Sequence, residues 1–335
     1  MTGEQSRRMG VWLLGAAVVL LLCCVLFEMV CQIYARAVVF RRFDDVMARP
    51  RHYYQVSPSP VLSYELQPGV EIVRDGKLLR IGRYGIRALD DDLAAEKWRV
   101  AVLGDSVVFG VGHTETQTIS GHLQQELDPD GDRIRVFNFG LGGLNLPEIA
   151  EFLRLKDSFY DVDEVVYLLN ANDFSMRETR FEGADNGLYR MYKRPQWMSL
   201  WFIRKGIYRF NKKSASSTAW YEWMFRGGEQ AGYDAMSQMS AYAEKHDIHF
   251  SVVLLPSGAA FQNGEYLLAD MFERIGNFLN GAGIRYLDAT EDFRNASESE
   301  YDATDHFHDA GNVIMAQVLA RFMRADSSVV RTTDR

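Results

Sequence analysis

From residue 99 onward, short apolar runs alternate with longer segments whose apolar residues recur at helical spacing, and that rhythm limits the fold more than any other feature. The strand candidates are residues 100–103, 134–137, 165–169, 250–255 and 284–287. Between them, residues 119–127, 147–155, 233–246 and 266–279 carry apolar side chains three and four positions apart, the period of a helix with one buried face. Continuous apolar strands joined by such helices imply βαβ units and a parallel sheet covered on both sides. The expected fold class is α/β, a three-layer α/β/α arrangement around a central parallel sheet. No internal repeat or low-complexity tract interrupts it.

The N-terminal part follows different rules. Residues 11–27 are uninterruptedly apolar, a length at the lower limit for a bilayer span, with Arg7 and Arg8 before them and Glu28 after. The run closes on Val25-Leu26-Phe27, too bulky for a signal-peptidase site, so an uncleaved transmembrane signal anchor over residues 10–32 is expected behind a short tail, 1–9. Arg7 and Arg8 favour a cytoplasmic N-terminus while Arg36, Arg41, Arg42, Arg49 and Arg51 pull the other way; because short N-terminal tails usually stay inside, the remainder is expected outside an inner (cell) membrane, on the periplasmic side. Cys23, Cys24 and Cys31 all lie in or beside this segment, which leaves the soluble part without disulfide or thiol chemistry. A net charge of −8 argues against nucleic acid as a partner.

Residues 33–98 read as a basic juxtamembrane helix, a Ser57-Pro58-Ser59-Pro60 linker and a β-hairpin turning on Asp75-Gly76. The main domain is expected over 99–325, with an aromatic and basic insertion at about 177–228 and a disordered tail over 326–335. The insertion interleaves Trp197, Trp201, Trp220 and Trp223 with Arg and Lys. It reads as a helical subdomain with its own aromatic core, as an aromatic platform for sugar rings, or as a surface resting on the membrane.

Chemistry-bearing residues gather where strands end, the edge at which open α/β sheets bind ligands. Gly104-Asp105-Ser106 follows the first strand and offers a hydroxyl that a base could turn into a nucleophile. A glycine-rich turn, Asn138 to Asn145, follows the second and could aim backbone N–H groups at a ligand. Asn170-Ala171-Asn172-Asp173 follows the third and could cap a helix or donate to an oxyanion. Near the C-terminus, Asp302, Asp305, His306, His308 and Asp309 precede an apolar helix. That block reads as a metal cluster, an acid-rich helix cap, or a histidine base oriented by a carboxylate.

In order and spacing these four elements resemble the SGNH hydrolases, also called GDSL esterases and lipases, over roughly residues 99–323. The stretch Arg83-Tyr84-Gly85-Ile86-Arg87 resembles the bacterial membrane-anchored members. The resemblance implies a flavodoxin-like sheet and Ser106 as nucleophile. It also implies oxyanion donation by Gly143, Asn172 and the Ser106 N–H, with no cofactor and no metal. For the base it implies His306, whose spacing to Gly311 fits the start of the last helix, with Asp302 as orienting acid. The second choice is His308 with Asp305. The expected activity is ester hydrolysis or O-acyl transfer on an acyl-ester substrate, with O-acetyl groups of an envelope or exported polysaccharide as the target. The alternatives are a lipase or thioesterase, and a non-catalytic accessory protein of the same fold in polysaccharide modification or export.

Overall fold

A computed structural model of the chain describes residues 3–41, 53–62, 64–74, 76–87, 97–175, 195–214, 217–295, 300–301 and 306–325. Two short antiparallel pairs come first, β1 (Tyr54–Val56) with β2 (Tyr64–Leu66) and β3 (Glu71–Arg74) with β4 (Lys77–Arg80), the second being the expected hairpin. Five strands form the central sheet: β5 (Trp98–Gly104), β6 (Ile134–Gly140), β7 (Glu164–Asn170), β8 (His249–Leu255) and β9 (Arg285–Asp288). All neighbours in it are parallel and the spatial order is β6-β5-β7-β8-β9. In order along the chain this is 2-1-3-4-5, the flavodoxin-like winding, which reverses direction at β5. Gly104 pairs with Gly140 at the carboxyl ends of β5 and β6, so the first two candidate elements leave the sheet side by side.

Strand alternation sends side chains to two separate cores. Ala101, Leu103, Phe137, Phe139, Val165, Tyr167, Val252 and Leu254 face one side, where α4 (Leu146–Tyr160), α6 (Ser217–Lys245) and α7 (Ala269–Gly281) pack. Val100, Val102, Ile134, Val166, Leu168, Val253 and Leu255 face the other, against α3 (Ile119–Leu127) and α8 (Asp309–Arg324). Both faces are therefore dry, which is why the strands read as continuous apolar runs rather than alternating ones.

Tyr64, Leu66, Ile72 and Leu79 of the four leading strands join the same core as the first face of the sheet, with Tyr54 packed against it. A buried ion pair fastens them: Lys156 on α4 lies 3.0 Å from Glu65 and also donates to the Tyr84 carbonyl at 3.0 Å. Short strand pairs like these are marginal alone, and packing on α4 gives them a partner.

Helix α1 (Gly3–Tyr34) continues to Phe40 in π-helical geometry, and its stretch Met9–Phe40 is long and apolar enough to cross a membrane. The described part of the insertion forms two helices, α5 (Met198–Ser214) and the start of α6. Trp220, Met224 and Phe225 on α6 join the core of the main domain, Phe225 meeting Phe174 edge-on at 4.8 Å, rather than forming a core of their own. Residues 177–194 and 215–216 of the insertion and the tail 326–335 lie outside the described residues.

Candidate active site

Ser106 opens the one-turn helix α2 (Ser106–Phe109) directly after β5. Asp105 is its N-cap: one carboxylate oxygen accepts the Val107 N–H at 2.9 Å and the other accepts the Asn172 side-chain amide at 3.1 Å. A carboxylate only accepts, so the amide nitrogen of Asn172 faces it. That nitrogen keeps a second hydrogen to offer.

Two glycines let α2 press onto the sheet. A Cβ on Gly140 would lie 2.1 Å from the Phe109 nitrogen, and one on Gly104 would lie 2.6 Å from Val108. Buried Asn138 holds the same turn, donating to the Val108 carbonyl at 2.7 Å and accepting from Gly140 N–H at 3.0 Å. From the opposite side Arg87, 2% exposed, donates to the carbonyls of Phe109 and Gly110, each at 2.6 Å, and to that of His113. Its Nε lies 2.8 Å from Glu115. Burial pushes the Glu115 carboxyl upward against the pull of Arg87.

His306 comes from the far end of the chain. Its Nε2 lies 2.8 Å from Ser106 Oγ, across 200 residues of sequence. With the proton on Nδ1, Nε2 accepts the serine O–H. The next residue fixes the loop. Phe307 stacks on Phe293 at 5.0 Å in a nearly parallel arrangement, bridges Tyr301 and receives His113 Nε2 on its carbonyl at 2.9 Å. That hydrogen bond puts the His113 proton on Nε2, and burial holds the imidazole below its ordinary pKa. Gly311 is needed here as well, since a Cβ would lie 2.5 Å from the Glu300 carbonyl.

His308 is the exposed N-cap of α8. Its backbone N–H donates to the Glu300 carbonyl at 2.8 Å, and its own carbonyl accepts the Asn312 N–H at 3.1 Å, so this residue serves the start of the helix. The structure thus brings His306, and not His308, onto Ser106 Oγ. Asp302 and Asp305 lie outside the described residues. Among the described residues no group of three His, Cys, Asp or Glu is placed to hold a metal ion.

The glycine turn closes the third side. A Cβ on Gly142 would lie 3.3 Å from Ser106 Cβ and 3.8 Å from the Tyr54 hydroxyl. Gly143 follows with φ +76°, a left-handed conformation that glycine adopts without strain. Tyr64 donates to the Gly142 carbonyl at 2.6 Å and meets Tyr54 edge-on at 5.2 Å. Behind Asn172, fully buried Asp173 accepts from the Tyr167 hydroxyl at 2.7 Å and the Asn170 N–H at 2.9 Å. Burial, and then the charge of Asp105, pushes the Asp173 carboxyl well above the usual carboxylate range. Asp105 orients Asn172 through the 3.1 Å bond it accepts from the side-chain amide.

Four of these contributors do not show in the sequence: Arg87, His113 and buried Tyr64 as braces, and half-buried Tyr54 at the rim. Arg87 stands inside the quoted stretch 83–87, but nothing local marks an arginine as buried. Both tyrosines sit on strands more than forty residues before Ser106, and only tertiary packing carries them to it.

No protein-family model matches the chain, and a search of the curated proteins finds no match. Among solved structures the chain is similar to the psychrotrophic esterase EstA from Pseudoalteromonas sp., at 12% identity and TM-score 0.43, over 68% of this chain and 98% of that one. It is similar to a lipase/acylhydrolase from Enterococcus faecalis at 11% identity and TM-score 0.43, over 68% and 95%. A third is a member of the lipolytic protein G-D-S-L family from Veillonella parvula, at 10% identity and TM-score 0.40, over 65% and 94%.

Proposed function

We propose that the chain is a serine esterase of the SGNH type, held at a membrane by α1 and acting on O-acetyl groups of an envelope or exported polysaccharide. The observation that carries the reading is the 2.8 Å contact between Ser106 Oγ and His306 Nε2. A serine so paired is an activated nucleophile when an acyl carbonyl is presented to it.

In this mechanism Ser106 Oγ attacks the acyl carbon while His306 Nε2 takes its proton. The carbonyl π electrons move onto oxygen, and the oxyanion accepts from the Ser106 and Gly143 N–H groups and the Asn172 amide. Collapse breaks the C–O bond to the sugar, whose oxygen leaves with the proton from the His306 imidazolium. Water, deprotonated by the same nitrogen, then attacks the acyl-serine and releases the acid. A carbohydrate hydroxyl in place of water would make the reaction a transfer. Asp302 is assigned to hold the imidazolium, with Asp305 as second choice. The substrate class is supported by α1, which suits an envelope protein, and by half-buried Tyr54 beside the glycine turn, since an aromatic face suits a sugar ring.

The test is labelling of the full chain by a fluorophosphonate probe, followed by turnover of acetylated oligosaccharides. Wild type is expected to label at Ser106. Ser106→Ala and His306→Ala are expected to lose labelling with unchanged thermal transitions, while His308→Ala keeps it. Undiminished labelling of Ser106→Ala, or an unlabelled wild type, would sink the reading. Labelling without deacetylation of any oligosaccharide would keep the serine chemistry and overturn the substrate.

A further inference from the structure

Helix α5 stands apart from the site. It carries Arg204, Lys205, Arg209, Lys212 and Lys213 and no Asp or Glu. Met198 and Trp201 are buried against the protein, and Lys205 Nζ lies 4.5 Å from the centre of the Trp201 ring. The other side is apolar and open: Leu200, Ile203, Ile207 and Phe210 are between 48% and 72% exposed. At ~100° per residue these four fall within an arc of about 80°, and Arg209 falls on the opposite side. A soluble surface rarely keeps four large apolar side chains in one stripe.

The place of this helix explains the stripe. Its N-terminus is held by the membrane-length helix: Glu28 accepts the N–H groups of Met198 and Ser199, each at 2.9 Å. Gln32 donates to the Gln196 carbonyl at 2.9 Å, and Tyr34 meets Phe202 at 5.7 Å between ring centres. From Met9 to Glu28 a helix rises about 28 Å, close to the ~30 Å thickness of the hydrocarbon layer. Glu28 therefore stands where the acyl chains end when α1 spans a bilayer, and α5 starts at that level. Trp197 and Tyr34, both about half exposed, flank the junction at the depth aromatic side chains favour.

We propose that α5 lies in the membrane–water interface beside α1, with Leu200, Ile203, Ile207 and Phe210 in the acyl boundary, Arg204 at the edge of the stripe among anionic phospholipid headgroups, and Arg209 turned to water. An in-plane helix of this composition gains from apolar burial and from the attraction of its cations to anionic lipid. With the Glu28 cap it makes a second attachment, which would fix how the domain faces the bilayer rather than leaving it to swing on one helix. The inference rests on α1 as a membrane span and not on the esterase reading.

The test uses the full chain with Cys23, Cys24 and Cys31 replaced by alanine, reconstituted in phosphatidylcholine–phosphatidylglycerol vesicles. An environment-sensitive fluorophore is attached through Ile207→Cys or, as the opposite side of the same helix, Arg209→Cys. Circular dichroism serves as the check that each variant folds. At position 207 the expected result is blue-shifted emission, strong quenching by lipid-borne spin labels and protection from iodide. At 209 the expected ranking is reversed, with iodide quenching dominant. Equal iodide quenching at the two sites would overturn the proposal. So would protection at 207 without lipid quenching and with disulfide-linked dimers through Ile207→Cys, which would assign the stripe to a second copy of the chain. Vesicles of phosphatidylcholine alone are expected to weaken lipid quenching at 207, and unchanged quenching would overturn the assignment to anionic lipid.

Discussion

Replacing Arg87 by methionine tests whether the turn that carries Ser106 is held from behind. The guanidinium is almost fully buried, and its partner Glu115 is only 15% exposed. Methionine keeps much of the volume and removes every donor, so Glu115 is left as a buried charge and the carbonyls of Phe109, Gly110 and His113 lose their hydrogen bonds. Removing one member of a buried pair costs about 3–5 kcal/mol, most of it from the charge left behind. For a domain of this size that corresponds to a fall in Tm of about 6–20 °C. The double variant Arg87→Met/Glu115→Gln removes the stranded charge and is expected to recover about 1–3 kcal/mol of the loss. The assay is thermal unfolding of the full chain in detergent, with ester hydrolysis measured well below both transitions. Activity is expected to fall in both variants, because Phe109 and Gly110 close the helical turn that Ser106 opens. Loss below about 1 kcal/mol for Arg87→Met, or a double variant less stable than the single, would refute the reasoning.

Gly140→Ala places a methyl group 2.1 Å from the Phe109 nitrogen, so α2 must lift from the sheet; a lower Tm and slower fluorophosphonate labelling are expected together, checked by melting and labelling time courses. Asp128 is buried, which raises its pKa, yet N–H bonds from Ile134 and Arg133 hold the carboxyl below its ordinary value. The unfolded chain therefore binds a proton first as pH falls, so the stability from Asp128 is present above the unfolded value of about 4 and is lost as pH drops through the folded one. In urea unfolding, wild type is expected to exceed Asp128→Asn at neutral pH, with the gap narrowing on acidification.

Periodicity and local chemistry in the sequence determined the sheet, because strands buried on both faces must be continuously apolar and helices on one face must show their spacing. They also placed Ser106 and Asn172 at the carboxyl edge, since a strand's last residue and the residues after it are local facts. The insertion was less legible. Its aromatics look alike in sequence, whether they join the core as Trp220 does or stand open as Trp197 does, because burial depends on what packs against them. Glu28 reads in the sequence as the end of an apolar run, and only its bonds to Met198 and Ser199 make it a helix cap. Which histidine meets the serine was likewise a tertiary matter. His306 and His308 differ by two residues, a distance that local spacing resolves poorly. The anchoring of Phe307 against Phe293 and Tyr301, and the close approach allowed by Gly311, set which ring reaches Ser106. Sequence therefore determined what each strand end could offer, and tertiary packing decided which groups meet, because a contact between residues so far apart in the chain depends on how deeply the neighbouring side chains are buried.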